Sequence, residues 1–292
     1  MERKPRVLVI GASGQIGGAC MEALRDQFEL IGTYNTHPKA TLIKLDFTNE
    51  KEVRELIGKT KPFSVILCAA LTNVDYCEIH PDEAQRMNHL AVQYVADACI
   101  TNAARLVYLS TDYVFDGKAG PYKEDAKTGP ISVYGRTKLD GEKEALKVLG
   151  CLIIRTGNVF DYGYDDRNFV VRLIGNLRQG KEAKAQTDLY ATPTLASHIA
   201  RAIGRLLDLG KSGTYNVAGK ETISRYDLSM QVAKFFNLPE GLIVGVKASD
   251  LGTAAKRPLF GGLVCEKLLK ETGIEPLPLL DALKIIKAKM EN

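Results

Sequence analysis

The segment that most constrains the fold is a buried-strand pattern followed directly by three glycines. The apolar run Arg6-Val7-Leu8-Val9-Ile10 leads into Gly11-Ala12-Ser13-Gly14-Gln15-Ile16-Gly17. A parallel strand that is covered on both faces has such an uninterrupted apolar pattern. Glycines beyond its end permit a tight turn and bring the backbone close to a pyrophosphate at the N-terminus of the next helix. The spacing is Gly-x-x-Gly-x-x-Gly, so this segment alone leaves an ordinary strand-to-helix turn open.

Strand and helix patterns alternate through the first half of the chain. Strands are predicted at residues 6–10, 29–34, 41–46, 63–70, 105–111 and 151–156, with helices near residues 15–26, 49–59, 81–102 and 133–149. This alternation predicts an α/β fold built on a doubly wound parallel sheet of the Rossmann type. Ligands of such sheets bind beyond the carboxyl ends of the strands. Gly11, Ala69, Ala70 and Thr111 all lie at the carboxyl ends of predicted strands, so we expect them to border one crevice.

The alternation breaks after about Asn158. A polar loop covers residues 161–168, helices are predicted at 169–178 and 194–209, and a late strand at 213–218 is expected to return to the sheet. Prolines at 239, 258, 276 and 278 interrupt the remainder, which indicates a small irregular lobe over the sheet edge. We therefore assign residues 1–158 and 187–218 to a dinucleotide-binding domain, and residues 159–186 and 219–292 to a small C-terminal substrate-binding lobe.

A hydroxyl at a strand end precedes a tyrosine and a lysine that lie one helical turn apart. The predicted strand ends at Thr111, within the segment Ser110-Thr111-Asp112-Tyr113-Val114-Phe115-Asp116-Gly117, and Tyr134 and Lys138 follow at the start of a helical pattern. Residues i and i+4 share one helix face. The Lys138 ammonium is therefore expected to lower the pKa of Tyr134 from about 10 toward the working pH, as general acid–base chemistry requires. The pair is a weak motif alone, and its position behind the glycine loop gives it weight.

Composition narrows the class of protein. A net charge of +4 on 292 residues demands neither nucleic acid nor an anionic membrane surface. The six cysteines are scattered, with no Cys-x-x-Cys pair, which favours reduced thiols and a cytoplasmic enzyme. No apolar run is long enough for a membrane span, and we see no signal peptide. The four histidines are dispersed without metal-ligand spacing, so no metal site is expected.

These residues resemble the extended short-chain dehydrogenase/reductases, and within them the dTDP-4-dehydrorhamnose reductase branch. The resemblance rests on the glycine loop and on short segments spread over nearly the whole chain: Cys68-Ala69-Ala70-Leu71-Thr72-Asn73-Val74-Asp75, residues 110–117, Tyr134-Gly135-Arg136-Thr137-Lys138 with Leu139-Asp140-Gly141-Glu142, Arg155-Thr156, Asn168-Phe169-Val170, Pro193-Thr194 and Arg257-Pro258.

The resemblance implies a catalytic set of Thr111, Tyr134 and Lys138. Tyr134 would protonate a carbonyl oxygen, Thr111 would hydrogen-bond that oxygen, and Lys138 would hold the nicotinamide ribose; Ser110 is a competing hydroxyl. The implied cofactor-binding residues are Gly11, Ser13, Gly14, Gln15, Ile16, Gly17, Thr33, Asn35, Asp46, Phe47, Ala69, Ala70, Tyr134 and Lys138. The implied substrate-binding residues are Thr72, Val74, Asp75, Thr111, Asp112, Asn158, Asn168 and Arg257. For Asp46, a helix cap is an equal alternative. For Asn88, a polar position on a helix face is favoured over a role at the cofactor.

The residues after the second strand bear on the choice of cofactor. Enzymes that use NAD usually carry an Asp or Glu there, which binds both ribose hydroxyls. Here the segment is Gly32-Thr33-Tyr34-Asn35-Thr36-His37-Pro38-Lys39, which has no carboxylate to repel a 2′-phosphate. The sequence therefore favours NADP, with NAD as the alternative.

Departures from the branch weaken the prediction of the substrate more than that of the chemistry. Where the reductases carry Ser-Trp, this chain has Gly157-Asn158, and it contains no tryptophan. The segments Asp188-Leu189-Tyr190-Ala191-Thr192-Pro193-Thr194 and Leu259-Phe260-Gly261-Gly262 also depart from the reductase pattern.

Three functions follow from this resemblance. The first is an NADPH-dependent reductase of a 4-keto nucleotide-sugar. The second is a non-catalytic dinucleotide-binding subunit like the regulatory subunit of methionine adenosyltransferase, and the third is a nucleotide-sugar epimerase or dehydratase. A small-molecule nucleotide-sugar is the expected partner, and a homodimer is left open.

Overall fold

A parallel sheet forms the centre of the molecule. The structure, a computed structural model, describes residues 4–163 and 168–291. The strands, numbered along the chain, are β1 (Arg6–Ile10), β2 (Glu29–Tyr34), β3 (Ile43–Lys44), β4 (Ser64–Leu67), β5 (Arg105–Thr111), β6 (Leu152–Thr156), β7 (Val159–Phe160), β8 (Ala183–Gln186), β9 (Tyr190–Ala191), β10 (Thr194–Leu195), β11 (Gly213–Asn216), β12 (Ile223–Ser224) and β13 (Ile243–Val246).

The helices cover both faces of this sheet and build the smaller lobe. They are α1 (Gln15–Ala23), α2 (Glu50–Thr60), α3 (Val74–Ile79), α4 (Pro81–Gln85), α5 (Ala91–Thr101), α6 (Val133–Ala145), α7 (Phe169–Arg178), α8 (Ala196–Asp208), α9 (Arg225–Phe235), α10 (Glu266–Thr272) and α11 (Leu279–Glu291). A π-helical turn, Arg86–Leu90, joins α4 to α5. Among the residues described, no helix has both the length and the apolar content to cross a bilayer.

The seven strands of the main sheet confirm the predicted doubly wound topology. Their order within the described chain is β3-β2-β1-β4-β5-β6-β11, and every neighbouring pair is parallel. Strand β11 pairs with β6, so the late strand returns to the sheet as its sequence pattern predicts. The chain reverses direction across the sheet between β1 and β4, and such a reversal opens a crevice beyond the carboxyl ends of the strands.

Alternating strand residues supply two cores, one on each face of the sheet. Val7 and Val9 pack with α1 and α8 on one face. Leu8 and Ile10 pack with α2 and α5 on the other. Side chains of successive strand residues point to opposite faces, so strands that are buried on both sides need apolar residues throughout.

The smaller lobe has more regular structure than the prolines predict. Helices α7, α9 and α11 enclose a third core, which includes Leu228 and Val232 at helical i, i+4 spacing. Strands β8 and β13 form a parallel pair beside it. The expectation of an irregular segment after residue 219 is therefore wrong, because amphipathic helices fit between the prolines. The exact division of the chain into two domains stays a prediction.

Candidate active site

The glycine loop turns tightly at the end of β1 and lies against the segment that follows β4. Gly11 has a positive φ of 86°, and a Cβ at this residue would lie 2.8 Å from the backbone nitrogen of Ala69. A Cβ at Gly17 would overlap the Gly11 carbonyl oxygen. The loop therefore requires glycine at both positions, and it brings Gly11 beside Ala69 as the sequence predicts.

Helix α1 presents an uncapped N-terminus to the same crevice. Its N-cap residue is Gly14, which offers no side-chain cap, and its first turn holds no acidic residue. The Gln15 Nε2 amide is buried and has no hydrogen-bond partner among the described residues. Free backbone N–H groups at the start of a helix attract an anion. These groups fit the pyrophosphate of a dinucleotide.

The predicted cofactor-binding residues at the ends of β2 and β3 differ in burial. Thr33 is buried, and its hydroxyl accepts a hydrogen bond from the Gly11 N–H at 3.2 Å, so it supports the loop from below. Asn35 is exposed at the strand end, where a ribose phosphate would lie. The Asp46 carboxylate accepts from the Thr48 N–H and hydroxyl at 3.0 and 2.7 Å, whereas Asn49 caps α2. Phe47, after Asp46, belongs to a sheet core.

The strand end at β5 separates the two candidate hydroxyls. The Ser110 hydroxyl donates to buried Glu142, which also binds the Arg155 guanidinium at 2.9 and 2.8 Å. Thr111 is buried beside Asp112, and its Oγ1 accepts from the Tyr113 N–H at 3.2 Å. The geometry leaves Thr111 as the hydroxyl that neighbours Tyr134.

Tyr134 lies in the first turn of α6, which Ser132 caps by accepting the Gly135 N–H at 3.2 Å. Its ring meets Tyr113 edge-on, with ring centroids 5.6 Å apart. Burial raises the pKa of Tyr134 above the ordinary 10, and the neighbouring Thr111 hydroxyl acts more weakly in the opposite direction. The expectation that Lys138 lowers this pKa is wrong for this structure, because desolvation outweighs any attraction. A tyrosine that stays protonated at neutral pH suits a proton donor.

Lys138 is buried behind Tyr134. Its Nζ donates to the Leu109 carbonyl oxygen at 2.6 Å and lies 4.1 Å from the centre of the Tyr108 ring. Burial lowers the pKa of Lys138 to about 7, and Glu142 acts against that shift. The ammonium also acts on Cys68, the residue that follows β4, so it sits close to the glycine-loop side of the crevice.

Asp112 has a buried carboxyl that accepts a hydrogen bond from the neighbouring Thr111 hydroxyl. Burial raises its pKa to about 6, while the Thr111 hydroxyl and the backbone at Gly262 oppose that shift. A Cβ at Gly157 would overlap this carboxylate. The glycine that replaces the serine of the reductase pattern therefore makes room for Asp112.

Two predicted substrate-binding residues bind one another. Arg257 reaches Asp75 with two hydrogen bonds of 2.8 and 2.6 Å, and this pair joins α3 to the lobe. The guanidinium lowers the pKa of the Asp75 carboxyl. A neighbouring cleft of about 350 Å³ lies between the turn of residues 116–118, Ile131, Arg257 and residues 259–260. Arg257 therefore lies in the wall of this cleft, with its guanidinium held by Asp75.

The other predicted substrate-binding residues differ in burial, backbone conformation and hydrogen bonding. Thr72 is exposed and Val74 is half-buried in the first turn of α3. Asn158 has a left-handed backbone with φ of 48°. Asn168 caps α7 by accepting the Val171 N–H at 3.0 Å, and it also donates to the Asp161 carbonyl at 2.8 Å. The part of the predicted polar loop at residues 164–167 lies outside the described residues.

Sequence reasoning missed or undervalued two side chains at this site. Asn88 is fully buried, and it accepts from the Leu71 N–H and donates to the Leu71 carbonyl, both at 2.9 Å, so it holds the segment after β4. Arg225, the first residue of α9, lies near Asp112 and Tyr113. The signal for Asn88 was its place in a helix beside the site. A basic residue after Ser224 gave no usable signal, because only the fold brings α9 to the crevice.

The strand order, the glycine loop and the lobe over the sheet define a doubly wound Rossmann-type α/β protein with a second, smaller lobe. More particularly, the chain belongs to the family described as the RmlD substrate binding domain, which matches residues 5–291.

The relatives of this chain include both enzymes and a subunit of another enzyme. The chain is 32% identical over 304 residues to the dTDP-4-dehydrorhamnose reductase of Aggregatibacter actinomycetemcomitans, with 98% of this chain and 99% of that protein covered. It is 29% identical over 294 residues to methionine adenosyltransferase 2 subunit beta of Danio rerio, with 96% and 89% covered. The crystal structure of dTDP-4-dehydrorhamnose reductase from Bacillus anthracis in complex with NADP has a TM-score of 0.88 and 28% identity, with 98% and 99% covered.

Proposed function

We propose that this protein is an NADPH-dependent reductase of a 4-keto nucleotide-sugar. One observation carries the proposal: Thr111, Tyr134 and Lys138 converge at the carboxyl end of β5, next to the glycine loop. In this interpretation the residues 1–158 and 187–218 bind the cofactor and the rest forms the substrate lobe.

Protonation of the carbonyl oxygen is assigned to Tyr134. Its raised pKa keeps the phenol protonated before the reaction. As negative charge develops on the substrate oxygen, the phenol proton moves to that oxygen while Thr111 donates a hydrogen bond to it. Bound NADPH supplies the hydride that reduces the carbon. The Lys138 ammonium would hold the nicotinamide ribose and would stabilise the tyrosinate that remains on Tyr134 after the proton has left.

The glycine loop and the residues after β2 support NADP as the cofactor. Gly11, Gly14 and Gly17 leave the backbone bare at the N-terminus of α1, where the pyrophosphate would bind. The exposed Asn35 amide lies where an acidic residue would repel a 2′-phosphate. The Bacillus anthracis relative binds NADP, which supports the same assignment.

The cleft between the loop that follows β5 and the smaller lobe supports a nucleotide-sugar as substrate. Its lining includes the Arg257 guanidinium, which Asp75 already pairs, and the exposed Phe260 ring, which stacks on Tyr190 with ring centroids 5.6 Å apart. The name of the Aggregatibacter relative supports a dTDP-sugar. The nucleotide base and the sugar are the finer part of this proposal.

The likeness to a methionine adenosyltransferase subunit favours a second candidate, a dinucleotide-binding regulatory subunit. Such a protein would bind NADP without turning over a sugar. The complete set of Thr111, Tyr134 and Lys138 favours the reductase, since a purely regulatory role needs no proton donor.

Single-turnover oxidation of NADPH tests the proposal. The protein is mixed with NADPH and each member of a panel of 4-keto nucleotide-sugars, and loss of NADPH absorbance is followed beside binding isotherms for NADPH. We expect oxidation with at least one sugar. Tight NADPH binding without oxidation of any of them would favour the regulatory subunit and reject the reductase.

A further inference from the structure

Arg225 places a guanidinium at the start of α9, in the smaller lobe. Its backbone N–H donates to the Leu189 carbonyl at 3.0 Å, and the preceding residue, Ser224, caps the helix by accepting the Asp227 N–H at 2.9 Å. The guanidinium carbon lies 4.4 Å from the centre of the Phe169 ring. The two hydrogen bonds fix the start of α9, and the contact with the Phe169 ring locates the charged group.

This guanidinium has no carboxylate partner among the described residues. Its Nη1 is buried and makes no hydrogen bond in the described chain. The two other arginines at the site differ, since Arg155 is paired with Glu142 and Arg257 with Asp75. A half-buried cation whose donors are unsatisfied costs free energy. The Phe169 ring offsets only part of that cost, because a ring face accepts no N–H hydrogen bond of full strength.

The surroundings of Arg225 point toward the site rather than away from it. Burial lowers the pKa of Arg225, whereas the nearby Asp112 and Tyr113 act to raise it and two further arginines, Arg172 and Arg257, act to lower it. Tyr113 in turn packs on the Tyr134 ring. The backbone places the start of α9 beside the proposed reaction centre: Ser224 pairs with Tyr190, whose carbonyl accepts from the Gly261 N–H, and a Cβ at Gly261 would lie 3.5 Å from the Asp112 carboxylate.

Asp112 does not neutralise this charge by direct contact. Its carboxylate oxygen accepts from the Thr111 hydroxyl at 3.3 Å, and no hydrogen bond joins it to Arg225 in the described chain. Burial raises the pKa of Asp112 to about 6. The attraction of Arg225, which would lower this pKa, is therefore the weaker effect. An external anion would satisfy the open donors of Arg225.

We propose that Arg225 binds an oxyanion of the substrate, either a phosphate of the nucleoside diphosphate or a carboxylate on the sugar. The choice of ligand rests on the proposed function, because a nucleotide-sugar carries such groups. A guanidinium forms two parallel hydrogen bonds with either oxyanion, so geometry alone serves both. The residue would anchor the substrate across the crevice from Tyr134 and set specificity for an anionic ligand.

Binding titrations with four ligands test this assignment. Wild-type protein saturated with NADP⁺ is titrated calorimetrically with thymidine, thymidine diphosphate, UDP-glucose and UDP-glucuronate. The variants are Arg225→Gln, which removes the charge, and Arg225→Lys, which keeps it. Arg178→Gln is the matched control, since Arg178 is exposed at the far end of α7. NADPH affinity and thermal unfolding verify that each variant is folded.

If Arg225 binds a phosphate, Arg225→Gln should weaken thymidine diphosphate binding by about 10- to 100-fold, the loss expected for a charged hydrogen bond. The affinity for thymidine should then stay unchanged. If Arg225 binds a sugar carboxylate instead, the same loss of affinity should occur for UDP-glucuronate alone. In both cases Arg225→Lys retains part of the affinity and Arg178→Gln retains all of it.

Unchanged affinity for every probe in a folded Arg225→Gln variant overturns the proposal, and so does a wild type that binds none of them. Equal losses in Arg178→Gln would also overturn it, because net charge alone would then explain the effect. Failure of the reductase proposal can be distinguished from failure of this one. If the wild type oxidises no NADPH with any 4-keto sugar, the binding isotherms still show whether Arg225 binds an oxyanion.

Discussion

Replacement of Tyr134 by phenylalanine separates proton donation from packing. The phenyl ring keeps its edge-on contact with Tyr113 and its buried place near Cys77 and Ala84. Only the hydroxyl and its interaction with Thr111 are lost, so the free energy of unfolding should change by no more than about 1 kcal/mol. The reaction loses its positioned acid, which lowers the single-turnover rate by about 10²-fold or more. NADPH affinity should stay within about twofold of wild type, because the phenol acts in the transition state.

The assay combines stopped-flow NADPH oxidation, NADPH binding isotherms and chemical unfolding of the same preparations. Tyr215→Phe is the matched control, since it removes a buried phenol that donates to Glu271 at 2.7 Å on the far edge of the sheet. That variant should lose stability and keep its rate. A Tyr134→Phe protein that retains most of the wild-type rate would refute Tyr134 as the proton donor. A rate loss accompanied by unfolding or by loss of NADPH binding would show that the hydroxyl also supports the fold or the cofactor, and would refute a role confined to proton donation.

Three further predictions concern cofactor choice, a buried charge and a buried ion pair. Asn35→Asp should shift preference from NADPH toward NADH, because a carboxylate repels the 2′-phosphate; fluorescence titration with both cofactors measures it, and tighter NADH binding by the wild type would contradict the premise. Lys138→Met should raise the free energy of unfolding by about 2–4 kcal/mol near pH 6, where a lysine of pKa about 7 is charged and buried in the native state. The unfolded lysine keeps its proton up to about pH 10.4, so wild-type stability rises with pH above 7 and the gain should shrink near pH 10; urea unfolding at both pH values checks the sign, and an equal gain at both would reject it. Glu142→Leu should cost about 3–5 kcal/mol because it leaves Arg155 buried and unpaired, and adding Arg155→Met should recover much of that loss; additive losses in the double variant would exclude this explanation.

Local sequence patterns determined the sheet and its first functional loop. The apolar run of residues 6–10 predicts a strand that is buried on both faces, and it is buried in the structure. Gly11 and Gly17 follow from the same local reasoning, because a turn of this length forces a positive φ and a close approach of backbone. The span of helix α7, Phe169–Arg178, also matches its predicted bounds. Each of these features depends on neighbours within a few residues along the chain.

Tertiary structure decided the electrostatics of the site. The i, i+4 spacing placed Tyr134 near Lys138, yet it gave the wrong direction for the pKa of Tyr134, because burial by segments distant in sequence sets the desolvation. Asp75 and Arg257 lie 182 residues apart, and no local pattern shows that they pair with one another. Arg225 lies in helix α9, and the local sequence of that helix gives no sign that this residue lies near Asp112 and Tyr113. The pKa of a buried group and the partner of a charged side chain depend on residues that are close in space but distant in sequence. They are therefore set only by the packing of the lobe against the sheet.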